Sequence, residues 1–216
     1  MKITNRQRIG KALLLLMLAS MAGSASAQTS TNIRSQTDPA EQASEGVRAS
    51  PRYLLQNGRG RAVMVNDFRN RFQLIAFGFT GCPDVCPTTM LEMQQVMAAL
   101  GERAKQVQPI FITIDPERDT GEVLDAYTAN FDARILGLTG SAKLVRWAAD
   151  NFKVEYEKVQ EPGAAPNVYT MNHTVGLFLL GPDAQLLKKF AYSTPVKDVV
   201  SVINGWIDLN EKLPAK

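Results

Sequence analysis

The stretch Gln73-Leu74-Ile75-Ala76-Phe77-Gly78-Phe79-Thr80 runs directly into Gly81-Cys82-Pro83-Asp84-Val85-Cys86-Pro87, and this junction decides the fold. Its first part is an apolar run of the kind that a strand covered on both faces requires. After Pro87, residues Met90, Met93, Met97 and Leu100 recur at helical spacing and stop at Gly101, so a helix begins in or just after the cysteine segment. A central strand that hands the chain to a helix through a short loop places that loop at the carboxyl end of the strand, where open α/β sheets hold their ligands.

The rest of the chain extends the same pattern. Strands are predicted at 61–65, 108–114 and 135–138, and helices at 122–130 and from a Ser141 cap to Phe152. Residues 162–167 read as a loop. Residues 174–180 and 186–192 pair as a hairpin across Gly181-Pro182-Asp183-Ala184. The final helix takes Thr194 as cap and Pro195 as its first position, with Val199, Val202, Ile203, Trp206 and Ile207 on one face. Strands alternating with helices make an α/β sandwich: a central mixed β-sheet flanked by helices, closed by a C-terminal hairpin and helix.

The amino terminus is read apart from the core. Lys2, Arg6, Arg8 and Lys11 precede an apolar run over 12–22, and Ala25-Ser26-Ala27 fits a small-residue cleavage site, so residues 1–27 are expected to be a secretory signal peptide. The run is short of the ~20 residues that cross a bilayer, which makes an uncleaved inner-membrane anchor the lesser alternative. Residues 28–50, rich in Ser, Thr, Gln and acidic residues, are expected to form a flexible leader, and 51–216 a single domain. Without the first 27 residues, 20 Lys and Arg face 21 Asp and Glu. The basic excess of the whole chain thus comes from the targeting segment, and no basic stripe suggests a nucleic-acid partner.

The chain has two cysteines, four positions apart, and one histidine, His173. Should the three meet, two sulfurs and one nitrogen suit copper, with the soft cuprous ion favoured. Thiol–disulfide chemistry on the same pair is the rival, and a helix start beside the pair is expected to lower a thiol pKa. A purely structural disulfide over so short a loop would constrain little of the unfolded chain. A closed zinc site would need a fourth protein ligand that no third cysteine or second histidine supplies. Met90, Met93 and Met97 read as core rather than thioether ligands, while Met171, two residues from His173, is the better thioether candidate. Asp115, in Asp115-Pro116-Glu117-Arg118-Asp119, ends the second core strand on the same rim; it is either a turn residue or a group that orients a ligand.

Three segments in order, residues 78–90 around the cysteines, Ile112-Thr113-Ile114-Asp115-Pro116-Glu117-Arg118-Asp119-Thr120, and His173-Thr174 followed by Gly181-Pro182-Asp183, resemble the SCO/SenC family of copper chaperones for cytochrome c oxidase assembly. The resemblance spans the chain from Pro51 to the last helix. It implies a thioredoxin-like fold and one copper ion, cuprous or cupric, held by Cys82, Cys86 and His173. It also implies delivery to the binuclear copper centre of the oxidase, or reduction of the cysteines of that centre. The implied setting is periplasmic, with a copper donor on one side and the oxidase subunit or another copper acceptor on the other. The family places an aspartate just before the histidine where this chain has Asn172, a departure that implies weaker cupric binding. A monomeric, non-enzymatic metallochaperone is therefore the leading expectation. A thiol–disulfide oxidoreductase with Cys82 attacking and Cys86 resolving is the runner-up, weakened by three intervening residues where thioredoxin-type motifs carry two. A peroxide-reducing role finds no motif of its own.

Overall fold

The computed structural model of the chain describes residues 50–165 and 167–212. The expected signal peptide and all but the last residue of the expected leader lie outside the described residues.

Strand β3 (Phe72–Gly78) is buried at every one of its positions because it has a neighbour on each edge and a helical or loop layer on each face. It pairs in parallel with β4 (Val107–Thr113) and antiparallel with β8 (Leu177–Leu180). β5 (Leu136–Leu138) extends the sheet beyond β4 in parallel, and β9 (Leu186–Phe190) extends it beyond β8 antiparallel. The five-stranded sheet therefore runs β5-β4-β3-β8-β9 and is mixed, as anticipated.

Alternation along β3 splits the core in two. Leu74 and Ala76 face a layer containing Met90, Met93 and Met97 of α1 (Val85–Ala99), Leu124 of α2 (Gly121–Ala129), and Val199, Ile203 and Ile207 of α4 (Val196–Lys212). Ile75 and Phe77 face Val145, Ala148 and Phe152 of α3 (Ala142–Phe152), where Phe152 and Phe178 meet edge to face at 5.4 Å between ring centroids. The same layer includes the hairpin of β1 (Leu54–Gln56) and β2 (Ala62–Met64). The methionines of α1 are at most 1% exposed and lie in the layer away from the cysteines, so they fill core and are not ligands.

Several boundaries differ from the sequence reading for local reasons. The hairpin strand starts at Leu177, not 174, and its partner ends at Phe190. Thr194 does not cap α4: its hydroxyl donates to the Ala191 carbonyl at 2.7 Å, while the Pro195 carbonyl accepts from Val199 N–H and begins the helix. Beyond Ala99 the chain tightens into a 3-10 turn over Gly101–Gln106. β6 (Tyr156–Val159) and β7 (Thr170–His173) form a separate antiparallel ribbon that the sequence did not signal.

A buried carboxylate fixes where the cysteine loop leaves the sheet. Asp119, 0% exposed, accepts from Thr80 N–H at 3.0 Å, Thr80 Oγ1 at 2.6 Å and Thr113 Oγ1 at 2.6 Å. It thereby joins the end of β3 to the end of β4. Replacing Asp119 by Ala would leave these donors unmet in a dry environment, and we expect a loss of about 3 kcal/mol of stability. Urea unfolding should show a lower midpoint at unchanged slope.

Candidate metal centre

The cysteine loop turns immediately into α1. Cys86 is the second residue of that helix and Pro87 the third, within the first turn where backbone N–H groups have no intrahelical partner and proline costs little. Cys82 precedes the helix, and its Sγ accepts a weak bond from the Cys86 amide at 3.4 Å. Both thiols are free and buried, Cys82 8% and Cys86 2% exposed.

His173 ends β7 and is brought to the same rim from 87 residues away: its Nε2 lies 3.6 Å from Cys86 Sγ. Its Nδ1 is 2.9 Å from the Thr174 carbonyl oxygen. A carbonyl can only accept, so we assign the ring proton to Nδ1, which turns the Nε2 lone pair toward the sulfur. Metal bonds of about 2.3 Å to thiolate and 2.0–2.1 Å to imidazole, at angles between tetrahedral and trigonal, separate the two donor atoms by ~3.6–3.8 Å. The Cys86–His173 spacing therefore fits one shared ion. Among the described residues no three His, Cys, Asp or Glu side chains are already gathered as a metal-holding cluster. The sulfur of Cys82 still faces the helix amide.

The surroundings explain why the sulfur lies here. A Cβ at Gly78 would come within 2.9 Å of Cys86 Sγ and 2.8 Å of Phe111 Cε2, so the sulfur occupies space that any other residue at 78 would take. Burial pushes the Cys86 thiol well above its ordinary pKa, against a smaller opposing contribution from a backbone bond at Phe79. That reverses the expected lowering by the helix start, because loss of water outweighs the helix field at this depth. Burial also lowers the His173 pKa from 6.5, with the Thr174 carbonyl opposing it less strongly. The apo site thus presents a protonated thiol and a neutral imidazole near neutral pH.

Asp115 is 3% exposed, and both of its oxygens are engaged: Oδ2 pairs with Arg118 Nε and Oδ1 accepts from Tyr169 Oη at 2.8 Å. Arg118 Nη1 in turn donates to the Tyr169 carbonyl at 3.0 Å. Asn172 stands on the exposed face of β7, and its amide donates to Glu157 Oε1 at 3.2 Å across the ribbon. Met171 and His173 share the opposite, inward face, and Met171 packs against the cluster that includes both cysteines. A carboxylate at 172 would therefore confront Glu157 rather than the imidazole. The sequence offers no signal for Tyr169 and shows Phe79 only as part of the strand and the cysteine motif, whereas in the structure Phe79 meets the His173 ring edge-on at 6.2 Å.

A mixed sheet between helical layers, with a thiol pair where the central strand meets a helix, defines a thioredoxin-like domain. The SCO1/SenC profile matches residues 41–208, beginning ten residues ahead of the domain start expected at 51. The chain is 32% identical over 161 residues to an SCO2-like protein of Rickettsia felis, covering 74% of this chain and 78% of that one. It superposes on the copper-bound structure of ScoI from Bradyrhizobium japonicum with a TM-score of 0.66 and 30% identity, covering 73% of this chain and 98% of that one. It also matches BsSco, a protein described with a disulfide switch as a member of the Sco family of cytochrome c oxidase assembly proteins, with a TM-score of 0.57, 25% identity, and coverage of 75% and 95%. The chain belongs to the SCO1/SenC family.

Two tests follow from this geometry. Gly78→Ala must displace Cys86 Sγ or the Phe111 ring, and should cost about 1–3 kcal/mol in thermal or urea unfolding of the reduced protein. A histidine pKa lowered on folding means that the unfolded chain binds more protons below pH 6.5. The contribution of His173 should thus be fully present above 6.5 and fall away as the pH drops through that value toward the folded pKa. NMR titration of this single histidine should give a folded pKa below 6.5.

Proposed function

We propose that this chain is a copper-binding chaperone of cytochrome c oxidase assembly that holds one copper ion through Cys82, Cys86 and His173 and gives it up by ligand exchange. The observation that carries the reading is the approach of His173 Nε2 to Cys86 Sγ, with the Nε2 lone pair aimed at the sulfur and accepting from its thiol, so that loss of that one proton leaves two donors facing each other. Two thiolates and an imidazole form a soft donor set with few competing hard oxygens, since Asp115 spends its carboxylate on Arg118 and Tyr169. Cys82, still on the helix amide, is the ligand that closes onto the ion. The copper-bound Bradyrhizobium relative and the oxidase-assembly description of BsSco support the same task.

The acceptor we propose is the binuclear copper centre of the oxidase, with the chain exported to the periplasm behind a signal peptide over residues 1–27. Among the described residues no helix is long and apolar enough to cross a membrane. Reduction of an acceptor's cysteines by the same pair is the second reading, favoured by the disulfide switch of BsSco. Here Cys82 would attack, because Cys86 is the more deeply buried thiol.

Anaerobic titration of the reduced mature chain against a cuprous chelator tests the proposal. Cys82→Ser and Cys86→Ser should each lose more cuprous affinity than the ~10–100-fold that removal of an outer hydrogen-bond partner costs a metal site. His173→Ala should weaken cupric binding more than cuprous, because the cupric ion prefers nitrogen and a fuller shell. Wild-type cuprous affinity in either serine variant would place the site elsewhere. Oxidised protein should bind no cuprous ion until reduced, since a disulfide sulfur is no longer a thiolate. Mass spectrometry showing copper together with an intact Cys82–Cys86 bond would contradict that exclusion.

A further inference from the structure

The ribbon that carries His173 has little core of its own. Glu157, Lys158, Thr170 and Asn172 are exposed, while Tyr156, Met171 and His173 on the inner face are only half-buried, and a two-stranded ribbon with so thin an apolar face is marginal in water. The packing of Met171 and Tyr156 against the core is supplemented by polar and cation–ring contacts that hold β7 where its last residue reaches Cys86.

Tyr169, the residue immediately before β7, is gripped at three points. Its hydroxyl donates to Asp115 Oδ1, its carbonyl accepts from Arg118 Nη1, and its ring lies under two cations, Arg118 Cζ and Lys158 Nζ, each 3.7 Å from the centroid. The Arg118 guanidinium also pairs with Asp115 through Nε and lies 5.7 Å from the centre of the Phe79 ring. Phe79 touches the His173 ring at its other end, and its carbonyl accepts from Cys82 N–H at 3.3 Å. Lys158 comes from β6, and its ammonium pairs with Glu117 at 3.2 Å. One cluster thus joins the cysteine loop, the turn after β4 and both strands of the ribbon.

We propose that Tyr169 is the positioning residue for His173: its attachment to Asp115 and Arg118 anchors the ribbon so that the imidazole reaches Cys86, and release of that anchor frees the histidine without disturbing the thiols. This rests on His173 being a copper ligand, and it places the ease of losing the nitrogen ligand outside the metal site itself. The anchor is local and partly exposed, with the Arg118 side chain 33% accessible, so it can open without unfolding the sheet.

Because the chain has a single histidine, the test can be read on the apoprotein. Reduced, copper-free protein with its thiols left free is treated with diethyl pyrocarbonate at one fixed pH, and carbethoxylation of His173 is followed by absorbance. Tyr169→Leu should speed the modification several-fold, and Tyr169→Phe, which keeps the ring under the cations and loses only the bond to Asp115, should fall between it and wild type. Ile207→Ala, a core change in α4 that loosens the fold globally, should leave the rate close to wild type and separates positioning from general destabilisation. In the copper arm, Tyr169→Leu should lower cupric affinity by roughly 10–100-fold. The cuprous affinity, carried mainly by the thiolates, should change less than about threefold. A wild-type modification rate in Tyr169→Leu, or an equal rise in Ile207→Ala, would overturn the proposal. Faster modification with unchanged cupric affinity would uphold the anchor and overturn instead the role of His173 as a ligand.

Discussion

Asp119 carries the constraint on which the site rests. Its carboxylate is fully buried yet meets three donors, two from Thr80 and one from Thr113. A buried anion is tolerated only when its lone pairs are satisfied, so the loop after β3 and the turn after β4 are obliged to keep one mutual arrangement. The Asp119 backbone adds a further tie, its carbonyl accepting from Thr139 Oγ1 at 2.9 Å just beyond β5. The three parallel strands therefore end in register. Cys82 and Cys86 start from a fixed rim, and the sulfur of Cys86 settles into the space that Gly78 leaves open.

The parts of this arrangement that were legible in the sequence are those governed by burial. β3 and β4 are largely apolar because both faces are covered, α1 announces itself through Met90, Met93 and Met97, and α3 through the Ser141 cap, whose Oγ accepts from Leu144 N–H at 3.3 Å. The cysteine pair and the distant histidine stood out by scarcity. The ribbon did not, because Tyr-Glu-Lys-Val and Thr-Met-Asn-His carry no apolar alternation strong enough to mark a strand. Besides the packing of Met171 and Tyr156 on the core, it is held by cation–ring and charge-assisted contacts, with Arg146 lying 3.5 Å from the Tyr156 ring centre at one place and Arg118 over Tyr169 at another. Pairings of that kind depend on residues far apart in the chain, and periodicity cannot report them. The same limit applies to Asn172, whose place beside His173 in sequence puts it on the opposite face in a strand.

The thiol chemistry was also misjudged from sequence for a physical reason. A helix start stabilises a thiolate through partial charge, an effect of typically 0.3–1 kcal/mol near the surface. Removing a would-be anion from water works in the opposite direction and grows with depth. At 2% exposure Cys86 falls on the desolvation side, and nothing in the spacing of the two cysteines reveals how deep the helix start sits.

That balance bears on what the site can select. With Cys86 protonated and His173 neutral, the pair carries little bare charge in a dry setting, and the protein avoids the penalty of a buried Cys86 thiolate. On the proposed reading, a cation entering between them would replace the thiol proton and supply the compensation that the protein itself withholds, so that ionisation of Cys86 and capture of the metal would be one event. A hard ion offers poor recompense to sulfur, whereas a soft one forms the strong bond that offsets proton loss. Return of the proton on transfer would complete the proposed cycle in the other direction. The depth that makes Cys86 a poor free nucleophile is therefore what would suit it, as the ligand we propose, to hold a soft metal ion and to give it up to another soft ligand.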